Sequence, residues 1–269
     1  MFHTHYNPEY LTSDIITGEA VHAFGTRRGG VSTGIFESLN LGLSRGDDPE
    51  HLYENYRRLG AAVGFTPEQT VLVHHAHSAR VDRMGKQDRG MGLLFPQKEH
   101  QDGLYTNEPG VALVVFTADC TPILLHDPVK HVVAAVHSGW PGTAKGIVAN
   151  CVNALIRDFG CNPADVEAAI GPSIGSCCFE TDRDVPEAMV KALGPEAEPL
   201  SFITHEGAPE GKFFPDVKAI NVLWLHRCGV KKIDVCEECT KCRPDRFWSH
   251  RVNGVKRGNM GNVIMLKEE

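Results

Sequence analysis

The pattern of apolar and polar positions predicts helices and strands that alternate along the chain. Apolar residues spaced three and four apart follow Asp48 in DPEHLYENYRRLGAAVG and predict a helix, with Pro49 in its first turn. Two further helices are predicted in DVPEAMVKAL and in DVKAINVLWLHRCG, where Gly229 ends the second. No repeat, low-complexity segment or change of composition divides the sequence. We therefore expect one mixed α/β domain over residues 1–269.

The most informative stretch contains two strands that end in potential metal ligands. VALVVFTADC predicts a buried strand that ends at Cys120. PILLHDPVKHVVAAVH predicts a hairpin with its turn near Asp127 and Pro128, and His137 ends its second strand. The thiol and the imidazole therefore stand at strand ends, directly before the next element.

A helix is predicted directly after this hairpin, in TAKGIVANCVNALIRDFG. Thr143 is its expected N-cap and Gly160 its expected stop. The free backbone N–H groups and the positive dipole end of such a helix favour an anion. A metal and an anion would then be neighbours, which suits a reaction that involves phosphate.

A third metal ligand is expected from VLVHHAHSARV, a short β-rich run. Alternation puts His75 and His77 on one face of a strand and His74 on the other. Three protein ligands, with a fourth position left to water or substrate, are typical of catalytic zinc. Cys120, His137 and one of these histidines thus predict an open site for one zinc ion. A buried free cysteine among structural histidines is the alternative, and a Cys–His nucleophilic pair is another.

Other polar residues are candidates for proton transfer and for substrate or phosphate binding. Asp119, beside the thiol, would orient a ligand or move a proton, although a strand-end aspartate also caps its local backbone. Arg27 and Arg28 precede two glycines in a Gly-rich loop, and arginine recognises phosphate through its forked donors. Solvated arginines on a surface loop are the alternative. Asn40 and Thr143 complete this group of candidate binding residues.

A second group of thiols lies near the end of the chain. Cys236, Cys239 and Cys242 form CxxCxxC, and His250 follows nearby. This spacing would close a structural zinc site, although a single thiol-rich run without a second CxxC is a weaker signal than a paired arrangement.

Composition limits the class of protein. Hydrophobic residues make up 42% and charged residues 23% of the 269 positions, as in ordinary globular proteins. The net charge of -7 argues against a basic nucleic-acid-binding face. No apolar run reaches the roughly 20 residues that cross a membrane, and MFHTHYNPEYL lacks the regions of a secretory signal. We expect a cytoplasmic protein whose nine cysteines are free thiols or metal ligands.

Several motifs, in a fixed order, resemble one known family. TRRGGVS, SLNLG with GDD, HAHSARV, TADCTP, VHSGW with GT and GI, IGPSIGSCCFE, and CT with FWSHR are similar to the laccase-domain family, also called the multicopper polyphenol oxidase or peptidoglycan-editing-factor family. The resemblance covers nearly the whole chain. It implies an α/β (α+β) domain with mixed β-sheets flanked by helices, and a metal held by His77, Cys120 and His137. The chain departs from the family pattern at His75, where a glutamine is usual, and at Pro141, where an arginine is usual.

The resemblance also implies an activity. It predicts a zinc-dependent purine nucleoside phosphorylase acting on adenosine, inosine and methylthioadenosine, with adenosine deaminase as a side activity. Its small-molecule partners would be a purine nucleoside and phosphate. Copper is the alternative metal, for a polyphenol oxidase, but four-electron reduction of oxygen needs several metals. A cell-wall precursor editing hydrolase and a non-catalytic zinc-binding interaction module are the remaining alternatives.

Overall fold

The continuous apolar runs of the sequence form the central strands of two stacked β-sheets. A computed structural model describes residues 1–43, 45–97 and 100–268, so Ser44 of the predicted Gly-rich loop lies outside the described residues. The strands are β1 Phe2–His5, β2 Tyr10–Ser13, β3 Ala20–Gly25, β4 Thr70–Leu72, β5 Val81–Arg83, β6 Gly103–Thr106, β7 Ala112–Thr117, β8 Thr121–Asp127, β9 Val132–Ser138, β10 Glu167–Ile170, β11 Lys232–Val235 and β12 Met260–Leu266.

Both sheets are mixed, as the resemblance implies. Sheet 1 has the order β1-β2-β3-β12-β7-β4, and sheet 2 has the order β11-β10-β8-β9-β6-β5. Neighbouring strands are antiparallel except at the edges, where β4 with β7, β5 with β6 and β10 with β11 are parallel. The predicted hairpin is β8–β9, and its register pairs Thr121 with Ser138 and Pro122 with His137. The α/β fold class with mixed sheets is therefore confirmed.

Helix packing covers the outer face of each sheet, with the helix at residues 49–63 on sheet 1 and the helix at residues 147–159 on sheet 2. The helices are α1 Pro49–Val63, α2 Trp140–Ala144, α3 Ile147–Phe159, α4 Asp184–Leu193, α5 Glu198–Ser201, α6 Val217–Arg227 and α7 His250–Asn253. The Asp48 carboxylate caps α1 by accepting a hydrogen bond from the Glu50 N–H, and Gly64 ends the helix with a φ of 105°. No helix in the described ranges is long and apolar enough to span a membrane.

Three apolar clusters pack against the two sheets, and a fourth packs α4 against α6. Alternation along β9 sends Val133 and Ala135 into the core between the sheets, and Val132, Ala134 and Val136 into the core under α3. A third cluster packs α1 on the outer face of sheet 1. Because both faces of the central strands are buried, these strands read as unbroken apolar runs.

The helix expected from Thr143 to Gly160 is divided in two. Gly146, with a φ of 71°, separates α2 from α3, and Gly160 ends α3 as predicted. The N-cap prediction for Thr143 is wrong, because this residue lies inside α2, whose N-cap is Gly139. The Thr143 hydroxyl donates to the Gly139 carbonyl oxygen at 3.0 Å.

The strand expected over VLVHHAHSARV is also shorter than predicted. It ends at Leu72, and His77 has a φ of 55°, which a strand does not adopt. The backbone turns here because the N–H groups of Ala76, His77 and Ser78 converge on the carboxylate of Asp102. The histidines are therefore carried by a loop.

Candidate metal centre and its cavity

Three side chains meet where the hairpin of sheet 2 ends. Cys120 directly precedes β8 and His137 lies at the end of β9, so the antiparallel register places them side by side. The loop after β4 adds His77, and one ligand atom from each of the three lies within 4.8 Å of the others. The His77 Nε2 atom is 3.7 Å from the Cys120 Sγ atom. A tetrahedral zinc ion with ordinary bond lengths would separate such atoms by about 3.6 Å.

Asp102 orients two of these three residues. One carboxylate oxygen accepts hydrogen bonds from His137 Nδ1 at 2.8 Å and from the His77 backbone N–H at 3.0 Å. The other oxygen accepts from the Ser78 hydroxyl at 2.6 Å and from the Ser78 N–H at 2.8 Å. Because His137 uses Nδ1 for this bond, its Nε2 lone pair is left for a metal.

The electrostatics of the buried site favour ionised groups. Burial alone would raise the pKa of the Asp102 carboxyl, but hydrogen bonds from His137 and Ser78 hold that pKa well below its usual value. Burial would likewise raise the pKa of the Cys120 thiol, yet the neighbouring His137 lowers it. A thiolate is the form of cysteine that binds a metal.

His75 is excluded as a ligand by its own hydrogen bonds. Its Nδ1 donates to the Gln101 carbonyl oxygen at 3.0 Å, and its Nε2 accepts from the Phe116 N–H at 2.9 Å. Burial, followed by repulsion from His137, lowers the pKa of His75 to about 3, so the ring is neutral. Its ring stacks on His137 with the centroids 4.3 Å apart. His75 thus supports His137 and leaves the third ligand position to His77.

Gly139 leaves the space in which the three side chains meet. A Cβ atom on this residue would lie 2.6 Å from Cδ2 of the His77 ring and 3.2 Å from the Cys120 Sγ atom. Two imidazoles and a thiolate in an open arrangement suit zinc and copper. The donor set and the missing side chain therefore fit one metal ion.

Cavities of 340 and 230 Å³ open beside the three side chains. The guanidinium-bearing residues Arg45 and Arg257 line both of them, and neither forms an ion pair with a carboxylate in the part of the chain that the structure describes. Burial, followed by repulsion from Arg45, lowers the pKa of Arg257 to about 10, which keeps it cationic at neutral pH. The larger cavity is also lined by Trp140, Phe179 and others. This space combines aromatic surface with positive charge.

Asp119 lines the larger cavity, as its position beside Cys120 suggests. Its carboxylate accepts hydrogen bonds from the Thr240 hydroxyl at 2.5 Å and from the Arg251 N–H at 2.8 Å. These bonds fix the orientation of the carboxylate at the cavity wall.

The predicted phosphate-binding residues lie elsewhere. The Arg27 guanidinium covers the Trp248 ring at 4.0 Å and donates to the carbonyl oxygens of Glu37 and Pro244. Arg28 forms an ion pair with Asp245 at 2.6 Å. Both arginines hold loops together, so neither reaches the cavities beside the metal ligands.

Asn40 and Thr143 are fully buried. The Asn40 side chain bonds to Asp47 and to the backbone N–H groups of Gly42 and Asn259, so it organises a loop. The Thr143 hydroxyl is occupied by its bonds to Ser138 and Gly139. Neither side chain is placed to contact a phosphate in the cavities.

Sequence reasoning missed several residues of the site. Phe179 and Arg251 lie within SCCFE and FWSHR, two of the motifs that carry the family resemblance, so a signal for them existed. Asp102, Arg45 and Arg257 follow no spacing rule, because tertiary contacts alone bring them to the site.

Comparisons with known proteins point to one family. The family model described as multi-copper polyphenol oxidoreductase laccase matches residues 21–267. Purine nucleoside phosphorylase YlmD of Geobacillus stearothermophilus is 38% identical over 254 residues, which cover 93% of this chain and 91% of that protein. Purine nucleoside phosphorylase LACC1 of Mus musculus is 34% identical over 267 residues, which cover 96% of this chain but 58% of that longer protein.

A solved structure of one of these relatives has the same fold. The crystal structure of YlmD from Geobacillus stearothermophilus superposes with a TM-score of 0.87 at 36% identity, over 96% of each chain. The chain therefore belongs to the multi-copper polyphenol oxidoreductase laccase family.

Proposed function

We propose that the chain is a zinc-dependent purine nucleoside phosphorylase that acts on adenosine, inosine and methylthioadenosine, with adenosine deaminase as a side activity. The observation that carries this proposal is the meeting of His77, Cys120 and His137 beside a cavity lined by aromatic rings and by two arginines that form no ion pair with a carboxylate among the described residues. The relatives from Geobacillus stearothermophilus and Mus musculus are named purine nucleoside phosphorylases, which supports the same class of enzyme.

In this proposal His77, Cys120 and His137 hold one zinc ion. When bound, the ion supplies a Lewis acid that stabilises negative charge on a nearby oxygen. Asp102 keeps the His137 ring in the tautomer that leaves Nε2 available, and the stacked ring of His75 fixes its plane.

Phosphate is assigned to Arg45 and Arg257 in place of Arg27 and Arg28. The two cations lie beside the metal ligands, and the burial of Arg257 strengthens its interaction with an anion. Such a pair would also stand in for the arginine that Pro141 replaces. The phosphate would then lie next to the metal ligands.

The nucleoside is assigned to the larger cavity, where Trp140 and Phe179 offer aromatic surface to a purine. In phosphorolysis an oxygen of dihydrogen phosphate bonds to the anomeric carbon while the bond from that carbon to the purine nitrogen breaks, and the purine takes up the proton that the phosphate loses. Asp119 faces the same cavity and is assigned to this proton transfer.

Product analysis of zinc-loaded protein with adenosine tests the proposal. Adenine should form when phosphate is present and not when it is absent. Inosine as the only product would make deamination the main reaction, and failure to convert any nucleoside would overturn the proposal.

The arginine assignment has its own test. Arg257→Ala should raise the KM for phosphate at least ~10-fold, because a buried charge-assisted contact is lost, while the KM for adenosine changes little. Arg28→Ala is the matched control, since its guanidinium pairs with Asp245 away from the cavities. Equal effects of the two substitutions would contradict the assignment.

Copper-dependent polyphenol oxidation is the second candidate. Two imidazoles and a thiolate also form a ligand set that copper accepts, and copper binds such sites more tightly than zinc. If copper-loaded protein oxidises phenols while zinc-loaded protein leaves every nucleoside intact, this second candidate takes the place of the first.

A further inference from the structure

Four thiols meet in the two loops that follow β10 and β11 of sheet 2. Strands β10 and β11 are parallel, so the loops that follow them start at the same edge. The first loop brings Cys177 and Cys178, and the second brings Cys239 and Cys242; these four residues form the thiol cluster. The two loops are joined by a bridge between Ser173 and Cys239.

The sulfur positions have the spacing of ligands around one ion. All four Sγ atoms lie within 4.8 Å of one another. Cys242 Sγ is 3.5 Å from Cys178 Sγ and 3.7 Å from Cys177 Sγ. A disulfide requires about 2.05 Å, whereas two thiolates on a tetrahedral zinc ion are about 3.8 Å apart. The space suits a single ion and is too small for a multi-iron cluster.

The surroundings compensate the charge that four thiolates would carry around a divalent ion. The Gly175 N–H donates to the Cys239 Sγ atom at 3.3 Å. The buried ammonium of Lys218 donates to the carbonyl oxygens of Cys236 and Glu238 at 2.5 and 2.9 Å, on the same loop. A backbone dipole and a fixed cation thus lie beside the cluster.

Cys236 and His250 do not belong to this group, which corrects the expectation drawn from CxxCxxC. The Cys236 side chain is buried in the core between the sheets, and its N–H donates to the Ile170 carbonyl oxygen at 2.8 Å. His250 lines the larger cavity instead. The partners of Cys239 and Cys242 come from the other loop.

We propose that Cys177, Cys178, Cys239 and Cys242 bind a structural zinc ion, separate from the metal at His77, Cys120 and His137. Four protein ligands leave no open position, so the ion has no place for a substrate. Its role is to fix two loops that build the catalytic cavity. The Thr240 hydroxyl, next to Cys239, holds the Asp119 carboxylate, and the Asp119 carbonyl oxygen accepts from the Ile174 N–H at 3.0 Å.

Metal analysis of the purified, reduced full chain tests this proposal independently of any enzymatic activity. Wild-type protein should contain two zinc ions per chain, and Cys120→Ser with His137→Ala should retain one. Cys178→Ser with Cys242→Ser should also retain one. Cys236→Ala is the matched control from the same thiol-rich run and should retain both.

Cobalt substitution identifies the ligands of the remaining ion. In the Cys120→Ser, His137→Ala protein, cobalt should show the thiolate charge-transfer and tetrahedral bands of a four-sulfur site. If the protein with both Cys178→Ser and Cys242→Ser does not fold, Cys242→Ser alone can replace it in these measurements, because the Cys242 side chain is exposed. That variant should lose the four-sulfur spectrum.

Three results would overturn the proposal. They are one zinc ion per wild-type chain that disappears with Cys120→Ser, iron in place of zinc, and a disulfide among the four cysteines of the protein purified in reductant. A fourth result would also overturn it: loss of the second zinc ion with Cys236→Ala, but not with Cys178→Ser and Cys242→Ser, would show that the ion is bound by the CxxCxxC run. None of these outcomes depends on whether nucleosides are substrates.

Discussion

At the residue scale, His75 and His77 lie two positions apart and both contact the His137 ring. The His75 ring stacks on it, whereas the His77 ring meets it edge-on. The His75 side chain is 9% exposed and bonds two backbone groups, whereas the His77 ring is exposed and its one hydrogen-bonding contact among the described residues is with Cys120. His75→Ala should therefore lower the free energy of unfolding by about 3 kcal/mol, because a buried N–H and a buried carbonyl lose their partner. It should keep the bound metal.

His77→Ala should have the opposite effect: the metal at the site is lost, and the metal-stripped protein unfolds at nearly the wild-type denaturant concentration. Metal content and urea unfolding of the stripped proteins measure both. If His75→Ala releases the metal and His77→Ala retains it, the metal lies instead among His75, Asp102 and His137, which also come within 4.8 Å of one another.

At the element scale, the junction between β9 and α2 couples the backbone to the metal ligands. Gly139 has a φ of -72°, which alanine adopts without strain, so Gly139→Ala adds only a Cβ atom against His77 and Cys120. We expect the metal affinity to fall by at least ~10-fold, as for other changes that displace a ligand. Competition with a chelator measures this, and equal affinity for both proteins would contradict the steric argument.

Elements marked by a cap, a turn or an apolar run could be predicted from the sequence. Helix α1 carries a cap and several turns of apolar spacing, and the β8–β9 hairpin carries a turn at Asp127 and Pro128, so both were predicted. Strands β5 and β6 lie beside and within a polar, Gly-containing passage where no apolar run marks them, and they were not predicted.

The candidate site likewise divides into features that local sequence determines and features that depend on contacts between distant segments. The nearness of Cys120 and His137 follows from hairpin register, which local sequence determines. The choice between His75 and His77 depends on a loop that turns around Asp102, and the thiol cluster depends on the parallel pairing of β10 with β11. Contacts between segments so far apart in the chain leave no local pattern.

At the scale of the whole molecule, a buried neutral histidine makes stability depend on pH. His22 is 8% exposed, and its Nε2 accepts a hydrogen bond from the Ser13 N–H at 2.8 Å. Burial, followed by repulsion from His126, lowers the pKa of His22 to about 4. The unfolded chain takes up this proton near pH 6.5, so the free energy of unfolding should fall by about 3 kcal/mol as the pH drops from about 6.5 to about 4.

His22→Gln removes this titration and should flatten the decrease by that amount. Urea unfolding of metal-stripped protein at neutral and mildly acidic pH measures it, and removing the metal beforehand keeps acid release of the ion from contributing. A decrease of the same size in both proteins would show that other groups cause it.

The central position of β12 in sheet 1 has a consequence for synthesis. Residues 260–266 pair on one side with β3 and on the other with β7, so they join strands from near the start of the sequence to strands from its middle. On the ribosome, the β1–β3 group and the β4–β7 pair emerge long before the strand that connects them. Until then the edges of β3 and β7 that pair with β12 lack their hydrogen-bonding partner, and in this interval aggregation competes with folding. The order of translation therefore delays the completion of the fold until residues 260–266 have been made.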